Sequence, residues 1–411
     1  MDDWVSGNLD KAEGLAEKGL CDRCLGRMFG KEGTGMTNET RGIMLREALK
    51  ESGKDLPAKN PCTLCGNVFD LLPRFAETVA EAVKPLETEN FLIGTKVDPF
   101  ITEAEKKLVE EFGLEHSEMI KSELNREIGK LAGPMIGRPV EFDGPHVVAC
   151  IDTRFADVDL DIKPLFIAGR YNKFSREIPQ TKWPCRECRG RGCERCNHIG
   201  KMYPTSVQEI IGDIALEMAG GEEHFFHGMG REDVDALMLE DGRPFVLEIS
   251  GPVKRSIDLK ELEERANMSE LAGYNSLHFT ERETVREYKG ATPDKVYRAR
   301  VKAKSKVNKQ ELIDVALTFK DVCIDQRTPN RVMHRRADLV RRRGIRWVEA
   351  EPVDDYTFDL TLETEAGTYV KEFVSGDEGR SLPNFSDSLG IPCVVSELDV
   401  LAIKYNKSER E

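Results

Sequence analysis

Three groups of residues in this sequence have types and spacings that could do chemistry. The first is a carboxylate in a Gly-Arg turn, Gly230-Arg231-Glu232-Asp233-Val234-Asp235. Val234 to Leu239 and Pro244 to Ile249 are apolar runs rich in strand formers. Asp241-Gly242 between them fits a type I′ turn, whose two central residues need positive φ. The pattern predicts a β-hairpin with Asp233 at its mouth, aimed into a cleft by the sheet behind it. Asp235 competes for the role, because residues two apart share a strand face. A carboxylate held in this way can serve as nucleophile or general base.

Cysteines form the second group. Eight of the 11 fall in Cys-x-x-Cys pairs, which in a cytosolic chain signals metal rather than disulfides. Cys21, Cys24, Cys62 and Cys65 make one set, with Gly26 or Gly66 close behind each pair. Cys185, Cys188, Cys193 and Cys196 make a tighter one, with His198 just after it. The glycines at 190 and 192 allow a compact knuckle, and the spacing resembles that of DnaJ-type zinc fingers. Four thiolates suit tetrahedral zinc and leave no open position for a catalytic water, so one or two structural Zn2+ ions are expected.

The third group is arginine. Arg327, Arg331, Arg335, Arg336, Arg341, Arg342, Arg343 and Arg346 stand against the single acid Asp338 in that stretch. In a chain of net charge −14 such a segment reads as a grip for phosphates, which arginine binds bidentately. A second basic stretch interleaves Arg170, Lys173, Arg176 and Lys182 with Tyr171, Phe174 and Trp183. Cations beside aromatic faces are the components of a surface for single-stranded or loop RNA.

These residues need elements to hold them. At 411 residues the chain exceeds one ordinary core, and a boundary near 200 divides it into domains 1–200 and 201–411. Helical periodicity covers 8–18, 36–50, 71–84, 102–112, 116–131, 206–218 and 310–318. Thr205-x-x-Gln208 reads as a capping box for the helix at 206. Strands are expected at 91–95, 147–151, 157–162, 296–304, 345–352 and 356–364. Hydrophobic content of 39% with 33% charged residues and no long apolar run exclude a membrane span. The acidic start Met1-Asp2-Asp3-Trp4 lacks the regions of a signal peptide, so a cytoplasmic monomer is expected.

Five motifs, in chain order, resemble the archaeal and eukaryotic family of tRNA pseudouridine synthases that isomerises uridines 54 and 55 in the TΨC arm. They are Cys-Asp-Arg-Cys-Leu-Gly-Arg at 21–27, Phe-Ile-Ala-Gly-Arg-Tyr-Asn-Lys-Phe-Ser-Arg at 166–176, Gly-Arg-Glu-Asp-Val-Asp at 230–235, Gln-Arg-Thr-Pro at 326–329 and Ala-Gly-Thr-Tyr-Val-Lys-Glu-Phe at 366–373. The resemblance implies an α+β fold with two parts. One is an N-terminal zinc-knuckle and THUMP-containing domain. The other is a catalytic domain with a mixed, largely antiparallel sheet and a central cleft. It carries the catalytic aspartate to Asp233, an active-site tyrosine to Tyr297, a basic partner to Lys371 and an apolar residue packing on the base to Leu398. Arg231, Arg170, Lys173, Arg327, Arg335, Arg336, Arg341, Arg342 and Arg343 are then expected to bind the RNA, the 327–346 segment as a thumb loop. No organic cofactor is implied.

A different reading is a non-catalytic, zinc-dependent tRNA-binding protein, which would keep the knuckles and basic loops without turnover. A THUMP-bearing methyltransferase or thiolase would need a nucleotide or methyl-donor site. Gly228-x-Gly230 is not followed by a helix pattern, and no Ser-Gly-Gly loop occurs.

Overall fold

Two helices, Asp3–Gly7 and Leu9–Glu17, precede Cys21 in the chain, whose computed structural model describes residues 2–405; the Arg335 side chain lies outside the described set. The Cys21 Sγ accepts from Cys24 N at 3.4 Å and so caps the helix Asp22–Arg27. That helix crosses the helix Asn38–Glu51 with backbone touching backbone. A Cβ on Gly26 would lie 1.8 Å from Asn38 O, and one on Gly42 would lie 1.8 Å from Asp22 O. Only glycine permits this crossing. The two Cys-x-x-Cys pairs meet, with Cys21 N donating to Cys62 Sγ at 3.2 Å.

Residues 1–163 with Val253–Arg255 form one compact unit. Its sheet has three strands, β1 (Leu92–Lys96), β2 (Val147–Asp152) and β3 (Asp157–Ile162), with β1 parallel to β2 and β2 antiparallel to β3. The helices Leu72–Val83, Pro99–Phe112 and Ile120–Ile136 accompany it. One continuous core runs from Leu15, Leu20 and Cys24 through Phe75 and Val79 to Ile128 and Ile151. Within it Arg27 and Glu105 form a fully buried ion pair, and Glu105 Oε1 also accepts from Ile120 N at 2.8 Å.

Pro164–Pro252 with Ser256–Glu411 form the other unit. Its strands are β4 (Leu165–Lys173), β5 (Glu223–Gly228), β6 (Met238–Ser250), β7 (Ala272–Thr280), β8 (Asp294–Ala303), β9 (Val322–Arg327), β10 (Val340–Pro352), β11 (Thr357–Thr364), β12 (Ser381–Leu382) and β13 (Cys393–Lys404). They make one sheet in the order β12-β9-β10-β11-β8-β13-β6-β4-β7, with β5 also on β6. Every pairing is antiparallel except β13 with β6. The mixed, largely antiparallel sheet is therefore as expected. The expected boundary at 200 is not where the units part. β4 pairs with β6 along residues 165–173, which ties the chain after Lys163 to the second unit.

The hairpin expected at Asp241-Gly242 does not form. Met238–Ser250 is one strand, and Asp241-Gly242 lies in a bulge within it, where four residues of β6 (239–242) pass the single residue Asn172 of β4 between the Lys173–Met238 and Tyr171–Arg243 pairs. The run Pro244–Leu247 is buried on both faces, because Phe245 and Leu247 pack into one cluster and Val246 into another with Phe166 and Val285, and its two edges are paired by β4 and by β5. Those partners occupy the hydrogen-bonding edges that a hairpin would have used. The helix Val207–Ala219 is capped one residue later than the sequence suggests, by Ser206 Oγ accepting from Glu209 N at 3.2 Å.

Candidate active site and metal centres

The middle of the large sheet supplies the site. Tyr297 on β8 is paired opposite Val400 on β13, and Leu398 lies two residues before it on the same face. The loop 229–237 leads into β6 beside them. With the Tyr369–Lys371 segment at the start of the helix Val370–Ser375, these elements enclose a cavity of about 140 Å³ lined by Arg231, Asp233, Tyr297, Arg331, Tyr369, Lys371 and Leu398 among others. Four residues named from resemblance, Asp233, Tyr297, Lys371 and Leu398, thus meet in one place. Asp233 and Arg231 also line a wider cleft of about 760 Å³ with Lys182, Trp183, Arg186, Arg331, Arg336 and Tyr369.

The loop that carries Asp233 is anchored by buried groups. Glu232 is buried, and its carboxylate accepts from Tyr171 Oη at 2.8 Å and from Arg243 Nε at 3.0 Å. Arg243 Nη1 donates to Met229 O at 2.9 Å, and Gln180 Nε2 donates to Gly230 O at 3.0 Å. Lys173 Nζ donates to Val234 O at 2.6 Å and to Ser175 O and Ile178 O. Arg176 Nη1 donates to Asp235 O at 2.7 Å. The backbone on both sides of Asp233 is fixed, while among the described residues its carboxylate makes no hydrogen bond or ion pair. Asp233 thus combines a rigid mount with an unengaged carboxylate, which suits a nucleophile or a general base alike.

The structure separates Asp233 from its competitor. Residues 233–236 form a turn, with Ala236 N donating to Asp233 O at 3.1 Å, so the two aspartates do not share a strand face. Asp235 stands outside the small cavity and pairs with Lys371 at 3.6 Å. Lys371, expected to hold Asp233, is therefore the partner of Asp235. The cation that senses Asp233 is Arg331. Its affinity for a proton is raised chiefly by its hydrogen bond to Glu372, at 2.6 Å, and further by the charge of Asp233. Burial pushes the Tyr297 phenol up, with Arg243 opposing, so the free site holds it neutral at pH 7.

Several basic residues expected at an RNA surface do other work. Lys173 is fully buried, and burial lowers its pKa. Arg170 donates to Asp241 O at 2.6 Å and Gly242 O at 3.1 Å, which pins the β6 bulge. It lines a separate cleft without Asp233. Arg327 pairs with Asp338 at 2.6 Å and Arg346 with Asp294 at 2.6 Å. Arg341 Nη1 donates to Thr328 Oγ1, and Arg343 Nη1 to Arg342 O. Arg336 Nη1 reaches Tyr369 Oη at 3.0 Å, and Arg342 is exposed.

Sequence reading missed Glu232, Arg243, Gln180, Gln326 and Tyr369. Gln326 is buried and holds Tyr369 at both backbone groups, at 2.9 and 3.0 Å. One signal was available: Arg243 opens an apolar strand run, and a charge there requires a buried partner of opposite sign.

Both cysteine sets converge. In each, the four Sγ atoms lie within 4.8 Å of one another, and Sγ···Sγ separations include 3.9 Å for Cys21–Cys65 and 3.7 and 3.8 Å in the 185–196 loop. Backbone N–H groups aim at the sulfurs, as Gly192 does at Cys188 and Gly200 at Cys196. Such donors favour thiolates, and each set can hold a metal ion.

One acid, Asp233, in a cleft otherwise lined by cations, on a loop beside the middle of a mixed sheet, suits an enzyme with a polyanionic substrate. A family model described as "Pus10, C-terminal" matches residues 166–404, and one described as "Pus10 THUMP domain, archaeal" matches residues 75–152. The curated relative "tRNA pseudouridine synthase Pus10" of Methanothermobacter marburgensis is 41% identical, covering 97% of this chain and 98% of its own length. The protein of the same description from Pyrococcus furiosus is 38% identical, covering 96% and 97%. Among solved structures, a chain of a Cbf5-Nop10-Gar1 complex covers 48% of this chain and 45% of its own length at 16% identity, with a TM-score of 0.31, too remote a likeness to argue from. The chain belongs to the Pus10 family.

Proposed function

We propose that this chain isomerises uridine to pseudouridine in tRNA, within the TΨC arm at position 54, 55 or both. The observation that carries the reading is the convergence of Asp233, Tyr297, Lys371 and Leu398 on one cavity. The reaction breaks the uracil N1–C1′ bond, turns the base and joins C5 to C1′. Electrons balance without an oxidant, so no organic cofactor is needed. Asp233 either attacks C1′ or removes the C2′ proton to give a glycal. Arg331 supplies neighbouring positive charge, and Lys371 restrains Asp235. Tyr297 and Leu398 face the detached base, with the Tyr297 phenol available to handle the C5 proton. The target uridine must leave its stack, at a cost of a few kcal/mol offset by phosphate and stacking contacts.

Zinc is the proposed metal for both cysteine sets. A Zn–S bond of about 2.3 Å gives a tetrahedral S···S edge of about 3.8 Å, which agrees with the separations of 3.7 to 3.9 Å. Zinc there orders the chain and takes no part in the reaction.

The test is pseudouridine mapping by carbodiimide on an unmodified tRNA transcript, with only protein and buffer. Native chain should yield pseudouridine in the TΨC arm, whereas Asp233→Asn should release no tritium from 5-tritiated uridine yet still bind the tRNA. Turnover surviving in Asp233→Asn would reject the assignment. Binding without turnover by the native chain would favour the non-catalytic reading.

A further inference from the structure

The loop 185–196 is too small to have an apolar core of its own. The buried cluster it forms consists of its cysteines alone. Arg186, Arg189, Arg191 and Arg195 are exposed on it. Its two ends are zipped together by Cys185 N to Gly200 O at 2.8 Å and Met202 N to Trp183 O at 2.9 Å. Those ends form part of the wide cleft: Trp183, Arg186 and Met202 line it together with Arg331, Arg336 and Asp233. Trp183 packs edge-on against Tyr203, with ring centroids 5.4 Å apart, and carries the Arg231 guanidinium 5.6 Å from its own ring centroid. The cleft has five basic lining residues, Lys182, Arg186, Arg231, Arg331 and Arg336, and one acid, Asp233. Its charge is thus opposite in sign to that of the whole chain, −14.

We propose that metal bound by Cys185, Cys188, Cys193 and Cys196 latches one wall of the substrate cleft, and that this wall grips the phosphate backbone of the tRNA through Arg186. The proposal rests on the tRNA reading above. Metal here acts locally. The loop's thiols stand apart from the two large cores of the sheet, whereas Cys24, Cys62 and Cys65 belong to the core of the first unit. Losing metal from the 185–196 set frees Trp183 and Arg186 while the sheet stays folded. Losing it from the first set disturbs a whole unit.

The test uses full-length chain carrying Asp233→Asn, so that bound RNA is not turned over, while isomerisation by the native chain, run alongside, reports separately on the functional reading. In this background the Cys188→Ser/Cys196→Ser variant is expected to retain one of two metal equivalents and its melting profile. It should bind unmodified tRNA roughly ten-fold more weakly, with a shallower salt dependence. Arg186→Gln is expected to keep both metals and to lower the slope of log K against log salt by about one, as loss of one phosphate contact does. Native binding and slope in both variants would overturn the proposal, as would a native chain that holds only one metal.

Discussion

At the scale of the residue, the site depends on groups that never touch substrate. Lys173 shows why. It stands in a strand of the sequence Arg-Tyr-Asn-Lys-Phe, where its charge and its aromatic neighbours suggest a nucleic-acid surface. Its burial is set by three carbonyls, of which Val234 O is 61 positions away in the chain; nothing local announces that. Lys173→Met would leave those carbonyls without a donor, and unsatisfied buried acceptors cost about 1–3 kcal/mol each before relaxation. Urea unfolding should show a loss of roughly 2–4 kcal/mol. Because Val234 follows Asp233, kcat should fall more than KM rises. A variant with native stability and kcat would remove Lys173 from the mount.

Glu123 makes a second residue-scale prediction, in the first unit. Burial raises its carboxyl to about 7, against the weaker pull of Asn38, Arg23 and Arg27. One of its oxygens is buried without a partner. Between its ordinary pKa and about 7 the folded chain holds a proton that the unfolded chain has released, so stability falls as pH rises through that window. Above about 7 the carboxylate is buried and charged, and the penalty is complete. Glu123→Gln should therefore stabilise the full chain by about 1–3 kcal/mol at pH 8 and by little at pH 5. Melting curves of both proteins at the two pH values decide this. An equal gain at both would mean that charge burial is not the cause.

At the scale of the element, periodicity was enough for the longer amphipathic helices and for some strands, while β4, β5, β7, β9 and β13 carried no pattern that marked them. The helix at Lys309–Leu317 and the strands β8 and β11 fall close to where their patterns place them. Strand β6 did not read correctly, for a physical reason. Asp-Gly signals a turn through local φ preference, but whether it reverses the chain depends on which strands compete for the flanking edges, and β4 and β5 are not identifiable from the dipeptide. The same residues make a bulge that holds Arg243 beneath Gly230 and Glu232. Gly242 has φ of +69°, and a Cβ there would lie 2.7 Å from Tyr171 O. Gly242→Ala should cost more than about 2 kcal/mol in denaturant unfolding, because strain and a backbone clash add. It should also lower kcat by displacing Arg243. A neutral substitution would show that the bulge has another conformation open to it.

At the scale of the whole molecule, the acidic chain can bind a polyanion only where its field is locally reversed. Composition gave the first half of that statement and the arginine-rich segment hinted at the second. What sequence alone could not provide was the ion pairing, since Glu372 and Asp294, which engage Arg331 and Arg346, lie outside the segment. Of the triplet Arg341, Arg342 and Arg343, only Arg342 lacks a protein partner for its guanidinium among the described residues. A phosphate contact contributes about one unit to the slope of log K against log salt, and an arginine already bonded to its own chain contributes less. Arg342→Gln alone should accordingly flatten the slope for tRNA binding nearly as much as neutralising all three. If the triple substitution lowers the slope by about three and Arg342→Gln by about one, all three guanidinium groups turn outward on binding RNA, and the bonds of Arg341 and Arg343 belong only to the free protein.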